Sequence, residues 1–437
     1  MISSEETKIV ELIDRNLEEL DPLDAPDFSS LLKRIGDAEV VLLGESTHGT
    51  CEFYDLRAQI TMELIRRKGF TIVLLESDWP DTEDVNKYIH GRKRSWNYFR
   101  RFPEWMWRNV SFGAFVEKLR EYNLSSEARP RVSIFGMDLY SLTESLAAVG
   151  RFIHQHLPDY LPVFEAAEGC LKPWHFDHAH YGLAVLRGVA KSCEPATTNL
   201  LKLLYEKEVD LPASKPELLS ALQNARIVKN AEQYYRTIYE GSIRSWNLRD
   251  EHMFETLSIL KQYFGAHNGH DSGAKVVVWA HNSHIGNAAA TEMGALGEIN
   301  IGQLCKSKFG SKAYNIGFMT NHGTVRAADY WGGEAKVKAL LRARPDSYEA
   351  LLHRTRAPNY LLPLKKDPEL QDALLKPRLE RAVGVIYRPD NERASHYFEA
   401  VLANQFDEIC WVDETSAVTP FEHVKEVAET DTYPFGL

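Results

Sequence analysis

The sequence predicts an α/β protein with a central, mostly parallel sheet that is flanked by helices and carries a large helical insertion. Three observations predict this fold. Short runs of apolar and β-branched residues recur along the chain, stretches with helical periodicity separate them, and the β pattern is missing from about residue 139 to residue 270. Runs that are apolar on both faces are typical of parallel strands that helices cover.

Seven runs have the composition of such strands. They cover residues 39–43, 71–75, 131–135, 275–279, 313–318, 382–387 and 408–412. Between the first two runs, residues 53–67 place four apolar side chains, from Phe53 to Leu64, on one helical face, which predicts a strand–loop–helix–strand unit. A second, smaller helical excursion is expected at about residues 333–375, before the last two strands.

The chain is therefore expected to divide into three parts. Residues 1–138 and 271–437 form the N-terminal and C-terminal parts of one α/β domain, and residues 139–270 form a helical insertion or subdomain between them. A chain of 437 residues is long enough to bury a large core in such an arrangement.

Composition excludes several classes of protein. The formal net charge is −11, and no basic stripe offsets it, which argues against nucleic acid and acidic membranes as partners. No signal-peptide pattern and no window of 18 apolar residues is present, so no membrane span is expected. The five cysteines are scattered and form no C-x-x-C pair, which indicates reduced thiols, no thiolate zinc site and a cytoplasmic location. The oligomeric state is left open.

Acids and histidines follow four of the predicted strands. In strand order these residues are Glu45 with His48, Glu76 with Asp78, Asp138, and His281 with His284. Ligands of an open α/β sheet bind beyond the carboxyl ends of its strands. A single residue of this kind is commonly a helix N-cap or a turn residue, whereas four such endings at one edge indicate an active site.

The residue types indicate proton-transfer chemistry. A histidine flanked by carboxylates acts as a general base at neutral pH, because the acids stabilise the imidazolium that forms. Arg57 lies in the following helix and is expected to pair with Glu45 or Glu76, with a surface salt bridge as the alternative. Ser46 and Cys51 are possible nucleophiles, but the G-x-S-x-G pattern fails at His48 and Cys51 has no motif. A water molecule activated by His48 is favoured over either.

A metal-dependent mechanism remains as an alternative. Glu45, His48, Glu76 and His281 could converge on a divalent ion, since this mixture of nitrogen and oxygen ligands suits Zn or Mn. However, His281 and His284 follow a strand and do not form a helical H-E-x-x-H signature. The histidine-rich residues 174–180 favour a polar loop between helices. No cofactor is therefore expected, with a divalent metal as the alternative.

An aromatic segment, residues 94–112, provides a candidate wall for an apolar substrate. It contains Trp96, Trp105 and Trp107, and the last two are predicted to bind substrate together with His284, Asp78 and Asp138. The helices would rise over the strand ends and form a deep cleft for a bulky cyclic ester. The alternative is that these tryptophans belong to the core.

Six stretches of the sequence resemble the erythromycin esterase family. They are LLGESTHGTCEFYDLRAQITMELIRRKGF, ESDWPDTEDVNKYIHG, FRRFPEWMWRN, FGMDLYSL, WAHNSHIGN and SHYFEAVLANQFDEICWVDET. The resemblance spans nearly the whole chain, and its G-E-x-x-H-G element with the downstream partners is specific. It implies an α/β fold with added helices.

The resemblance also implies a function. It implies that the chain hydrolyses the lactone ester of a macrolide with an activated water, an antibiotic-resistance activity on a small-molecule substrate. His48 matches the general base of the family and Glu45 its first carboxylate, while Arg57, Glu76 and His281 match its remaining active-site positions. Two alternatives stay open: a metal-dependent hydrolase that uses the same side chains as ligands, and a polysaccharide-biosynthesis accessory protein that holds a ligand without turnover.

Overall fold

A twisted sheet organises the computed structural model of this protein. The structure describes residues 4–96, 99, 101, 103–125, 130–175, 177–207, 215–267 and 273–421. Its strands are β1 (Glu18–Glu19), β2 (Val40–Leu43), β3 (Ile72–Asp78), β4 (Ser133–Asp138), β5 (Val276–Trp279), β6 (Ala313–Ala327), β7 (Lys336–Leu340), β8 (Asn359–Pro363), β9 (Arg378–Arg381), β10 (Tyr397–Ala400) and β11 (Glu408–Thr415).

Helices surround the sheet. They are α1 (Ser4–Asn16), α2 (Ser29–Ile35), α3 (Cys51–Lys68), α4 (Trp79–Ile89), α5 (Val110–Leu124), α6 (Leu142–His156), α7 (Leu161–Leu171), α8 (His178–Leu186), α9 (Glu194–Lys207), α10 (Lys215–Thr237), α11 (Ser242–His267), α12 (Asn282–Ile285), α13 (Glu292–Ala295), α14 (Ile301–Phe309), α15 (Tyr348–Leu352), α16 (Pro368–Ala373), α17 (Glu392–Ser395) and α18 (Leu402–Gln405).

The order of the strands in the sheet is β1-β8-β11-β6-β2-β5-β3-β4, with β7 paired to β6. From β11 to β4 the neighbouring strands are parallel, whereas β1, β8 and β7 pair antiparallel. The prediction of a mostly parallel sheet flanked by helices is confirmed. This order makes β2, β5, β3 and β4 adjacent, so the four strands that were predicted to carry the site end side by side.

Alternate residues of the central strands face opposite layers of the core. Val41 and Leu43 of β2 pack with α3 and α5, while Val40 and Leu42 pack with α1, α11 and α14. All four side chains are fully buried. An unbroken apolar run is typical of a strand that is covered on both faces. Helices therefore pack on both faces of the central sheet.

Two predictions of secondary structure are wrong. Residues 333–375 were expected to be helical, but they contain strands β7 and β8 beside the short helices α15 and α16. Residues 382–387 were expected to form a strand, but they form only isolated bridges, one to Thr47 and one to Ala328. Apolar runs of this length fit a short strand, a buried loop or a helix equally well, and contacts with distant segments decide among them.

Between β4 and β5 the described elements are the α-helices α6 to α11 and two short 3₁₀ turns, Pro158–Tyr160 and Lys172–Trp174. Helices α6, α7, α9 and α10 share one small apolar cluster. Helix α11 also reaches the sheet, because Met253 and Leu257 belong to the same core cluster as Val276 of β5. The division of the chain at residues 138 and 270 stays a prediction. In the described part of the chain, no helix combines the length and the hydropathy that crossing a bilayer would require.

The prediction that all five cysteines are reduced is wrong for two of them. A disulfide joins Cys170 and Cys193, which are 23 residues apart in the sequence and whose Cα atoms lie 5.8 Å apart. The packing of α7 beside α9 brings the two cysteines together. Scattered spacing in the sequence could not show this proximity, and the cytoplasmic location stays a prediction.

Candidate active site

His48 lies in the loop after β2 and is held by Glu45. The Oε1 atom of Glu45 lies 2.9 Å from Nδ1 of His48, and its Oε2 atom accepts a hydrogen bond of 2.6 Å from Arg57. The pair fixes Nδ1–H as the donor of His48, which leaves the lone pair of Nε2 free for the cavity. The Glu45 carboxylate thus bridges Arg57 and His48, and the imidazole of His48 is the member of the three that lines the cavity.

Arg57 is fully buried on α3, behind Glu45. Its guanidinium stacks on the rings of Tyr54 and Trp279, at 4.6 and 4.8 Å from their centroids. The predicted pairing with Glu45 is confirmed, and the surface salt bridge is wrong, because the Arg57 side chain has no exposed area. Arg57 therefore orients Glu45 and does not line the cavity.

Two glycines allow this loop to pack closely. A Cβ atom on Gly44 would lie 2.0 Å from Oδ1 of Asn282, and one on Gly49 would lie 2.0 Å from the carbonyl oxygen of Arg326. Any side chain at either position would push the loop away from its neighbours. The two glycines of the G-E-x-x-H-G element thus fix the position of His48 by close backbone approach.

Glu76, near the end of β3, connects three parts of the site. Its Oε2 accepts a hydrogen bond of 2.9 Å from the backbone N–H of His281, and its Oε1 accepts one of 2.8 Å from Arg249. Burial by itself would raise the pKa of Glu76, but the neighbouring His284 and Arg249 outweigh it and hold that pKa well below its usual value. Glu76 is therefore a buried carboxylate anion.

His281 is the N-cap residue of α12, shortly after β5, and His284 is the third residue of that helix. The ring of His281 lies 4.9 Å from that of His48, and its Nδ1 accepts a hydrogen bond from the backbone N–H of Ser283. Burial lowers the pKa of His281 far below its usual value. His281 is therefore a neutral imidazole whose proton is on Nε2.

His284 has the opposite protonation state. Its Nδ1 lies 2.9 Å from Oδ2 of Asp250, and its Nε2 lies 3.3 Å from Glu76. Burial by itself would lower the pKa of His284, but these two carboxylates outweigh it and raise that pKa to about 9. Nη1 of Arg249 lies 3.1 Å from Nε2 of His284, and the Glu76 carboxylate between the two cations offsets their repulsion.

The other predicted acids are paired with arginines. Asp138 accepts hydrogen bonds of 3.0 and 2.7 Å from Nε and Nη2 of Arg249. Asp78 forms an ion pair with Arg101. Both acids line the cavity, but their carboxylates are already engaged, so their predicted contact with substrate stays a prediction.

The site opens into a cavity of about 580 Å³. His48, Glu76, His281 and His284 line it together with an apolar wall. That wall is formed by Phe99, Met106, Trp107, Trp246, Met293, Trp331, Val385, Ile386, Tyr397 and Phe398. A cavity of this size and lining is typical of a site for a drug-sized ligand.

Of the three tryptophans in the predicted wall, one lines the cavity. Trp107 lines the cavity, whereas Trp105 and Trp96 are buried in the hydrophobic core beside α3 and α5. The prediction that Trp105 binds substrate is wrong, because the turn at residues 104–106 directs it into the core rather than into the cavity. Periodicity could not show which of three neighbouring tryptophans faces the cavity.

Neither candidate nucleophile of the sequence lies in a catalytic arrangement. The hydroxyl of Ser46 is buried and makes no hydrogen bond to any described residue. Cys51 contacts Ser111, and burial raises the pKa of its thiol to about 11. Neither residue lines the cavity.

Sequence reasoning missed the contribution of α11. Trp246, Arg249 and Asp250 project from one face of this helix toward His284, and Trp246 stacks on the His284 ring at a centroid distance of 4.5 Å. The signal available in the sequence was that Arg249 and Asp250 lie three and four residues after Trp246, which places all three on one helical face. Charged residues at this spacing are usual on exposed helices, so the signal alone does not separate a surface face from a buried one.

The carboxylates of the predicted metal-ligand set are engaged by other groups. The oxygens of Glu45 bind His48 and Arg57, and those of Glu76 bind Arg249 and the backbone of His281. Within the described ranges, no three His, Cys, Asp or Glu side chains are grouped so that they could hold a metal ion. In the histidine-rich stretch, Asp177 caps α8 instead, accepting from the backbone of His180.

The chain is similar to several known proteins. A family model described as Erythromycin esterase matches residues 65–415, which include Glu76 and His281, while Glu45, His48 and Arg57 precede the match. A protein of Escherichia coli named erythromycin esterase type II is 25% identical over 325 residues, which are 69% of this chain and 73% of that protein.

Solved structures share the fold. A Bacillus cereus protein superposes with a TM-score of 0.80 at 20% identity, covering 95% of this chain and 99% of that one. A succinoglycan biosynthesis protein superposes with a TM-score of 0.77 at 21% identity, covering 96% and 99%. A variant of the erythromycin esterase EreC in its open conformation gives a TM-score of 0.67 at 17% identity, covering 92% and 98%.

Proposed function

The chain belongs to the erythromycin esterase family, and we propose that it hydrolyses the ester bond of a bulky cyclic ester with a water molecule that His48 activates. Membership in the family makes the chain a hydrolase. The single observation that carries the proposed mechanism is the hydrogen bond between the buried Glu45 and His48, which lines the cavity, with Nε2 of His48 as the base.

In this mechanism Glu45 and Arg57 are positioning residues. Glu45 fixes the tautomer of His48 and stabilises the imidazolium that forms when His48 takes the proton of water. Arg57 holds Glu45 from behind through the 2.6 Å hydrogen bond. Arg57 does not contact the oxyanion in this mechanism, because the buried guanidinium lies behind Glu45, away from the cavity.

His281 is the proposed oxyanion donor. Its ring lies beside that of His48, and as a neutral imidazole it carries its proton on Nε2, an atom that is buried in the cavity wall. A donor that is preorganised in a buried site stabilises the negative charge that develops on the carbonyl oxygen. Glu76 holds the backbone of His281 in place and is itself held by Arg249 and His284.

The proposed substrate is a macrolide or another large lactone. Two relatives carry the name erythromycin esterase, and the cavity of about 580 Å³ with its wide apolar wall suits a bulky, partly apolar ester. Ring opening of a macrolide would also confer resistance to it. The water nucleophile is supported by the poor placement of Ser46 and Cys51.

A mass-spectrometric screen tests the proposal. Purified protein is incubated with a panel of macrolides and other lactones, with the His48→Asn variant as the matched control. We expect a product that is heavier than one substrate by one water, formed by the wild-type protein only. Binding of a ligand without any turnover would favour the accessory-protein alternative, and activity that depends on added metal would favour the metal-dependent one.

A further inference from the structure

Strand β2 leaves the sheet before its neighbour β6 does. The ladder between the two strands ends with the pair of Leu43 and Ile316, after which the N–H of Gly44 donates to the carbonyl of Ile316 at 2.9 Å. The chain then turns away, and the N–H of His48 donates to the carbonyl of Val383 at 3.2 Å. Buried backbone groups need hydrogen-bond partners, so the next residues of β6 must take theirs from another segment on this side.

The side chain of Asn282 supplies these partners. Its Nδ2 donates to the carbonyl of Phe318 on β6 at 3.0 Å, and its Oδ1 accepts from the N–H of Phe318 at 3.2 Å. These are the two hydrogen bonds that β2 would make with Phe318 if the strand continued in the same parallel register. Asn282 has no exposed area, so both bonds are shielded from solvent. The amide therefore takes the place of a peptide group in the sheet.

Asn282 also holds the loops of both histidines of the proposed mechanism. Its backbone N–H donates at 2.8 Å to the carbonyl of Glu45, three residues before His48. Its side chain crosses Gly44 so closely that an added Cβ there would lie 2.0 Å from Oδ1. His281 directly precedes it in the chain. One buried residue therefore ties the loop of His48 and the turn of His281 to the same strand, β6.

We propose that Asn282 is a positioning residue that sets the separation between the base His48 and the oxyanion donor His281. The inference rests on the proposed function, which gives the two imidazoles these roles. Strand β2 lies between β5, which leads to Asn282, and β6, to which the amide is bound, so the side chain spans the end of β2. The ring centroids of the two histidines lie 4.9 Å apart. A shift of about 1 Å between reacting groups can lower a rate about 100-fold.

Nuclear magnetic resonance of protein labelled with ¹³C and ¹⁵N in histidine tests the inference without turnover. The readout is the nuclear Overhauser cross-peak between the ring protons of His48 and His281. The variant is Asn282→Ala, and the matched control is Asn123→Ala. Asn123 of α5 is also buried, and its amide makes the same pair of hydrogen bonds, each of 2.8 Å, with the backbone of Val132, just before β4.

We expect the cross-peak in the wild-type protein and in Asn123→Ala, and its loss in Asn282→Ala, although both variants lose stability in urea. With erythromycin as the probe, kcat should fall about 10- to 100-fold in Asn282→Ala and stay unchanged in Asn123→Ala. Asn282→Ser, which retains a hydroxyl group, replaces Asn282→Ala if the latter does not fold.

Three results would overturn the inference: a wild-type protein without the cross-peak, a cross-peak that survives replacement of Asn282, or an equal loss in the Asn123→Ala control. If the wild-type protein leaves erythromycin intact, the proposed function fails for this probe. The cross-peak still decides whether Asn282 sets the separation of the two rings, so the two failures are distinguishable.

Discussion

Replacing Glu45 by glutamine should destabilise the protein strongly, although the two side chains have the same shape. The Glu45 carboxylate and the Arg57 guanidinium are 1% and 0% exposed, and 2.6 Å separates their paired atoms. The neutral amide cannot compensate the buried guanidinium, and its NH₂ group must face either Arg57 or His48, both of which donate. Removing one partner of a buried ion pair typically costs about 3–5 kcal/mol.

Urea denaturation measures this loss of free energy of unfolding. The matched control is Glu63→Gln, which breaks the ion pair of Glu63 with Arg67, one turn further along α3 near the surface. This change should lower the free energy of unfolding by less than about 1 kcal/mol. The double variant Glu45→Gln with Arg57→Met removes both charges and should recover most of the stability but none of the activity. A loss for Glu45→Gln as small as that of Glu63→Gln would refute the reasoning, since the pair would then be solvated.

Four further predictions follow from the site. His48→Asn should lower kcat by about 10²–10⁴-fold with unchanged circular dichroism; near wild-type turnover would rule out His48 as the base. The pKa of His284 is raised to about 9 in the folded protein, so its contribution to stability is present below about pH 6.5 and is lost as the pH rises through 9. The free energy of unfolding should therefore fall across this pH range, and it should fall less in the Asp250→Asn variant. An equal fall in both proteins would contradict the raised pKa of His284. Activity should survive dialysis against a chelator; a loss that Mn or Zn restores would make His48 and Glu76 ligands. The kcat/KM for a macrolide should exceed that for p-nitrophenyl acetate, and Trp107→Ala should reduce only the former; a preference for the small ester would refute the large-substrate site.

Local patterns in the sequence were sufficient for the parallel core of the sheet and for the side chains that follow its central strands. The strands β2 to β6 and β11 were predicted from their apolar runs, because a strand covered on both faces leaves few positions for polar residues. Glu45, His48, Glu76 and His281 were found together because parallel strands align their carboxyl ends. Parallel pairing of β2, β5 and β3 in the structure is what brings these ends together.

The tertiary structure decided the features that depend on distant segments. Glu76 and Arg249 are 173 residues apart in the sequence. They form a hydrogen bond because α11 packs onto the sheet, and the local sequence does not encode that packing. The same holds for the disulfide of Cys170 with Cys193 and for the division of the tryptophans between cavity and core. The sequence alone determined which chemical groups stand at the strand ends. Only packing determined their charge states, because burial and the neighbouring charges make His281 neutral and His284 cationic although the two histidines are three residues apart in the sequence.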